Sequence, residues 1–241
     1  MTAVDETRAV TRGTEPALDT PTAGDPRDAQ PFSQRMREST RTEHSSAETR
    51  GFITALMGGE LTELDYWRML GQYRPVYEAL EEATLRALDD EKHAAMVAAF
   101  HDERLFRATA IRADFTARFG TEDPVIDGVS LTTALPGTAR YAERIRQASV
   151  PALLAHHYLR YLGDLSGGQA IGALVARHYA VPREQLTMWD FSDIETPKRV
   201  KDAYRARLDD SIAPEVQDEY LAEVRHGYQL AGDLFAELDR R

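Results

Sequence analysis

The chain has 241 residues, with 40 acidic against 29 basic side chains and no cysteine. A net charge of −11 argues against nonspecific nucleic-acid binding, which runs on surplus Lys and Arg; an anionic ligand would need an explicit local basic patch. The lack of cysteine excludes disulfides, thiolate metal sites and cysteine nucleophiles.

Residues 1–31 contain Pro16, Pro21, Pro26 and Pro31, are rich in Thr, Asp and Arg, and hold no aromatic residue. Such a segment buries too little apolar surface to offset chain entropy, so a disordered tail is expected, followed by one helical domain over 32–241. Ser33 is placed to cap a helix running to about Thr49. Thr62-x-x-Asp65 resembles a capping box opening a long helix from Leu64 to about Leu88, with Pro75 expected to kink it. Further helices are expected at roughly 92–119, 132–147, 151–180, 197–209 and 214–238. Thr196 reads as a cap before Pro197 at the first helical position. No run alternates with period two, so strands are not expected and the fold class is all-α. No apolar run approaches the ~20 residues that span a bilayer, and the N-terminus lacks the apolar core of a secretory signal. A soluble, cytoplasmic chain without a membrane anchor is the expectation.

The most unusual segment is Tyr158-Leu-Arg160-Tyr-Leu-Gly163-Asp164-Leu-Ser166-Gly167-Gly168-Gln169-Ala-Ile-Gly172. It is apolar and helical in pattern, yet each mid-helix glycine costs about 1 kcal/mol relative to alanine. Two explanations compete. Small residues allow close helix packing, or a flat ligand lies against bare backbone where a Cβ would clash. Asp164 favours the second, because a carboxylate among glycines and leucines is costly to bury without a purpose. A phosphate loop fails, since no Lys follows the glycines.

Tyr161-Leu-Gly-Asp-Leu-Ser-Gly-Gly-Gln169, preceded by Ala155-His-His-Tyr158-Leu-Arg160, resembles the signature of the heme oxygenases. The resemblance extends over about residues 32–238. It implies a single-domain, multi-helix fold with heme held between a proximal helix and a kinked, glycine-rich distal helix.

Among seven histidines, His44 stands out because Glu48 follows one turn later and can orient its ring, leaving the other nitrogen free for iron. Arg37, Arg41 and His44 share one stripe. An ordinary salt-bridged surface helix is the plain alternative. His93, His101, His178 and His226 stand in charged or mixed contexts, and His156 and His157 read as packing residues or as supports behind the residues that meet the ligand. The resemblance makes His44 the metal ligand, with Ala47 and Glu48 in their expected places. It assigns Arg37, Arg41, Lys201 and Arg205 to the heme propionates, the last two on a segment that resembles the family's Lys-x-x-Tyr-Arg. Tyr158 and Tyr228 fall at the heme edge and on its proximal side, and Gly168 lies against the ring. Ala231 stands where some relatives carry Asn, and the region of Trp189 and Phe191 aligns loosely.

The implied reaction is oxidative cleavage of heme b, both substrate and cofactor, to biliverdin. It would consume dioxygen and electrons from an external reductase or ferredoxin, and release carbon monoxide and ferrous iron. Asp164 would act through ordered water, while backbone at Gly163 and Gly167 steers oxygen toward a meso carbon, the α position by family majority. A thiaminase-like hydrolase would need a cysteine nucleophile. A di-iron bundle needs two Glu-x-x-His motifs, and only Glu223-x-x-His226 is present. A heme carrier would share His44 and the basic clamps but would not need Asp164 and its glycines.

Overall fold

A computed structural model describes residues 30–43 and 51–240. Residues 1–29 of the expected tail lie outside the described residues, and so, separately, do His44, Ala47 and Glu48. Apart from one short hairpin, every regular element among the described residues is helical.

Helix α1, Phe32–Ser39, starts from Pro31. Ser33 is not its cap. Its backbone N–H and its hydroxyl instead bond the Asp209 carboxylate at 2.6 and 2.9 Å. That bond ties α1 to a helix far along the chain, and an outside carboxylate takes the place of local capping. Helix α2 spans Gly51–Gly58. Helix α3, Glu63–Asp89, opens with the expected capping box of Thr62 and Asp65 and runs unbroken through Pro75 for 27 residues. One turn before Pro75, Gly71 has no room for a side chain: a Cβ would lie 2.0 Å from the Leu131 carbonyl oxygen. Gln72 clasps the same loop, donating to Thr133 O at 3.2 Å and accepting from Leu135 N at 2.8 Å.

The single helix expected over 92–119 is broken. Helix α4, Ala94–Ala98, is followed by a 3-10 turn, Glu103–Leu105, and by α5, Ala108–Phe119. The break has two causes. Asp102 caps the 3-10 turn, and Glu81 reaches from α3 to accept the N–H groups of Arg107 and Ala108, capping α5 from outside. Strands also occur: β1, Val125–Ile126, pairs antiparallel with β2, Val129–Ser130. Asp127 and Gly128 between them have φ of 51° and 78°. Asp-Gly is a strong hairpin signal in the sequence, and two-residue strands are too short for alternation to reveal.

Helix α6, Pro136–Arg146, packs along α3. Helix α7, Val150–His157, leads into two consecutive π-helical turns, Tyr158–Leu162 and Asp164–Gly168, and then α8, Gln169–Tyr179. Two further 3-10 turns, Arg183–Gln185 and Thr187–Trp189, precede α9, Pro197–Ser211, and α10, Pro214–Leu238. Pro197 occupies the first turn of α9 as expected, but the Thr196 side chain makes no capping bond. One apolar core is built around α3, with Trp67, Leu70, Phe115 and Ile145. A second gathers Met36, Leu154, Tyr204, Leu208 and Tyr220 between α1, α7, α9 and α10.

Candidate active site

An α-helix would present the same narrow stripe every 3.6 residues. The π turns of the glycine-rich segment carry an extra residue per turn, a rare geometry often found at functional positions. The result is a broad face on which Tyr158, Leu162, Gly163, Asp164, Gly167 and Gly168 all line one cleft. The cleft has a volume of about 1010 Å³, enough for a large flat ligand. Its other walls come from α1 with Arg37 and Arg41, from α9 with Arg205, and from α10 with Tyr228 and Ala231.

The four glycines divide into two pairs. A Cβ on Gly163 or Gly167 would meet nothing within 4 Å, so both leave bare backbone facing open space. A Cβ on Gly168 would come 2.9 Å from the Trp189 ring, and one on Gly172 2.8 Å from the Trp189 Cβ. Both explanations of the sequence pattern therefore hold, each for a different pair. Gly163 and Gly167 are suited to a flat ligand, whereas Gly168 touches the cleft but is small because Trp189 packs behind it. Trp189 is fixed in turn by a 3.1 Å bond from its Nε1 to Tyr66 Oη.

Asp164 is 6% exposed. Tyr77 Oη donates to its Oδ2 at 2.5 Å. Arg160 donates from Nε and Nη2 to Tyr77 Oη at 3.1 and 2.8 Å. The guanidinium also lies over the rings of Tyr73 and Tyr77, 4.5 and 4.8 Å from their centroids. Burial raises the Asp164 carboxyl above its usual range, and Arg160 and the Tyr77 bond offset this only in part. For Arg160 the balance reverses. Burial opposes its charge, but Tyr77, Tyr73 and Asp164 hold its pKa well above the ordinary value. With both Arg160 donors on Tyr77 Oη, the phenol's single proton is committed to Asp164 Oδ2, which leaves Oδ1 for the cleft.

Tyr77 was not legible as a site residue, because it lies 87 positions from Asp164 in an apolar helix. Arg160, four residues before Asp164, did carry a signal: a basic side chain one turn from an acid on an apolar face is a candidate partner. Of the expected propionate groups, Arg37, Arg41 and Arg205 line the cleft; Lys201 does not. Its Nζ instead donates to Ser166 Oγ at 3.0 Å, on the cleft wall. Arg205 pairs with Asp202 at 3.1 Å, and its Nε is buried without a partner among the described residues. Glu223, the candidate di-iron ligand, is committed elsewhere: it bonds His156 Nε2 at 2.7 Å and Arg144 Nε at 2.9 Å. His156 and His157 are buried packing residues, as expected.

The residues present fit a porphyrin: a wide cleft, bare backbone on one wall, cations at the rim and a buried carboxyl facing in. Fold and cleft together define an all-helical protein built to hold a flat anionic ligand beside a proton-carrying group. The chain belongs to the heme oxygenase family, whose model matches residues 30–237. Heme oxygenase 1 of Rattus norvegicus is 30% identical over 87% of this chain and 72% of its own length. The heme oxygenase of Porphyra purpurea is 31% identical over 86% of each. Among solved structures, heme oxygenase from Leptospira interrogans superposes with a TM-score of 0.76 at 30% identity, covering 86% of this chain and all of its own. Synechocystis heme oxygenase-1 in complex with heme gives 0.75 at 25% identity, covering 88% and 93%. Degradation of heme to biliverdin is the function of the family and the enzymatic activity of this chain.

Proposed function

We propose that the cleft binds heme b as both substrate and cofactor, with His44 as iron ligand and Glu48 orienting its ring, and that Asp164 directs ring opening. Bound heme supplies an iron that activates dioxygen against the ring itself, with electrons from a separate reductase or ferredoxin, releasing carbon monoxide and ferrous iron. The observation that carries the reading is the Asp164–Tyr77–Arg160 chain beside Gly163 and Gly167. Arg160 fixes Tyr77, Tyr77 fixes one oxygen of Asp164, and the other oxygen is free to hold water over the ligand. Because burial raises the carboxyl, it holds a proton closer to neutrality than an exposed aspartate and can pass it to oxygen within the cleft.

The bare backbone of Gly163 and Gly167 lets the ring lie close and limits which edge oxygen can reach. Arg37, Arg41 and Arg205 meet propionates at the rim, and Lys201 acts from the cleft edge through Ser166. Tyr158 and Tyr228 border the ring. The rim cations are also the natural approach for an acidic electron-donor protein, since the rest of the chain is strongly negative. Adding hemin, then ascorbate or a reductase in air, tests the reading. Heme oxygenase activity bleaches the Soret band and yields biliverdin; a heme carrier keeps its Soret band.

A further inference from the structure

The chain has two tryptophans, and the fold sets both in one line of rings that runs from the cleft to the surface. Trp189 lines the cleft. Its Nε1 donates to Tyr66 Oη at 3.1 Å. The Tyr66 and Trp67 rings meet edge to face, 5.0 Å apart between centroids. Trp67 Nε1 in turn donates to Glu63 Oε1 at 2.9 Å, at the first residue of α3. Arg118 Nε bonds the same carboxylate oxygen at 2.6 Å. All three rings are buried, and the Glu63 side chain is 33% exposed, so the line reaches solvent at Glu63. The turn that carries Trp189 is held from α5: Asp114 accepts from Thr187 N and Met188 N at 2.8 and 2.9 Å.

We propose that Trp189, Tyr66 and Trp67 form a one-electron escape path, which carries oxidising equivalents out of the cleft when heme and a peroxide generate an oxidant that misses the porphyrin ring. The proposal rests on the reading of the cleft as a heme site given above. Heme is a one-electron cofactor, and indole and phenol rings are among the side chains most readily oxidised by one electron. The charges around the rings give the path its direction. A ring that has lost an electron is positive, so a nearby cation raises its energy and a nearby anion lowers it. Tyr73 lies 6.3 Å from Trp189 and 6.2 Å from Tyr77, but the Arg160 guanidinium covers both tyrosines and disfavours a positive ring there. Among the described residues no Arg or Lys stacks on Trp189, Tyr66 or Trp67.

The two tryptophans differ in what their N–H groups face. Trp189 faces a phenol that burial keeps neutral, so it has no base for its proton. Trp67 faces a carboxylate that its Arg118 bond keeps ionised. Glu63 stabilises a positive Trp67 ring and accepts its proton, and the electron vacancy therefore settles outward. The oxidant in the cleft gains one electron from Trp189. Trp189 regains one from Trp67 through Tyr66. Trp67 gives its Nε1 proton to Glu63, which releases it to solvent, and a neutral indolyl radical remains. A reductant at the surface, such as ascorbate, returns one electron and one proton to Trp67. The protein ends unchanged, one electron has passed from the reductant to the cleft, and one proton has gone to solvent.

The test uses full-length wild type, Trp67→Phe and Glu63→Gln, each loaded with hemin, given one equivalent of hydrogen peroxide and frozen for electron paramagnetic resonance. Wild type should give a protein radical whose spectrum narrows when the chain is made with ring-deuterated tryptophan and does not change with ring-deuterated tyrosine. This measurement needs no variant. Trp67→Phe should take up hemin and form biliverdin as wild type does, but lose the tryptophan signal and bleach more heme per peroxide without biliverdin. Glu63→Gln, a change at a partly exposed side chain, should lower the yield of the same signal, and it decides the matter if Trp67→Phe does not fold. A heme-loaded wild type with no protein radical, a radical that follows the tyrosine label, or a tryptophan signal at full yield in either variant would overturn the path. Wild type that takes up no hemin would instead defeat the reading of the cleft itself.

Discussion

Tyr77 holds Asp164 from behind the cleft: its hydroxyl bonds Oδ2 at 2.5 Å while receiving two bonds from Arg160. The carboxyl that faces the ligand is thereby fixed by a residue that does not line the cleft. Tyr77→Phe removes the bond that lowers the Asp164 pKa. Asp164 should then hold its proton to higher pH, and the pH–rate profile for biliverdin formation should move in the alkaline direction. The lost acceptor for buried Arg160 should also cost about 1–3 kcal/mol in urea unfolding. An unmoved profile would leave Tyr77 a packing residue.

The two glycine pairs predict effects of opposite sign. At Gly163 and Gly167 a Cβ meets no atom, so alanine should raise stability by up to about 1 kcal/mol through helix propensity. The same methyl enters the cleft and should weaken heme binding. At Gly172 a Cβ strikes Trp189, and alanine should cost about 1–3 kcal/mol from overpacking. Thermal unfolding beside hemin titration separates the two cases.

The motif that marks the site was fully legible in the sequence, and so was the all-helical class; what stayed hidden depends on contacts between distant segments. Ser33 reads as a cap, but Asp209 takes both its donors. The helix expected over 92–119 breaks because Glu81, on another helix, caps α5. The π turns leave no trace in apolar periodicity, and only the second of them, Asp164–Gly168, contains glycine. Lys201 and Arg205 look equivalent at i, i+4, yet only Arg205 reaches the cleft lining.

That difference is testable in the product. Arg205→Ala should weaken heme seating and broaden the biliverdin isomer mixture more than Lys201→Ala, because Lys201 acts from the edge through Ser166. Each single change should cost only about 1 kcal/mol of binding, as partly exposed ion pairs do. Chromatography of the isomers is the sharper readout. Equal isomer mixtures from the two variants would contradict the assignment.

Acid stability should fall in two stages. Burial depresses His157 to about 3, below the ordinary 6.5. The unfolded chain therefore binds this proton first, and stability drains as pH falls from about 6.5. Glu223 is held at about 2 by His156 and Arg144 against the opposing effect of burial. Its contribution is complete above the ordinary 4.5 and lost as pH falls toward 2. Tm measured against pH should show both declines, and Glu223→Gln should flatten the lower one.

The most direct test of the central claim is single-turnover chemistry by Asp164→Ala. Purified wild type and variant are loaded with hemin, given reductant in air, and the pigment is identified by absorbance and chromatography. The account predicts that Asp164→Ala folds and takes up heme with wild-type affinity but fails to produce biliverdin, with Asp164→Asn intermediate because an amide still bonds water. Biliverdin formed by Asp164→Ala at the wild-type rate would contradict it.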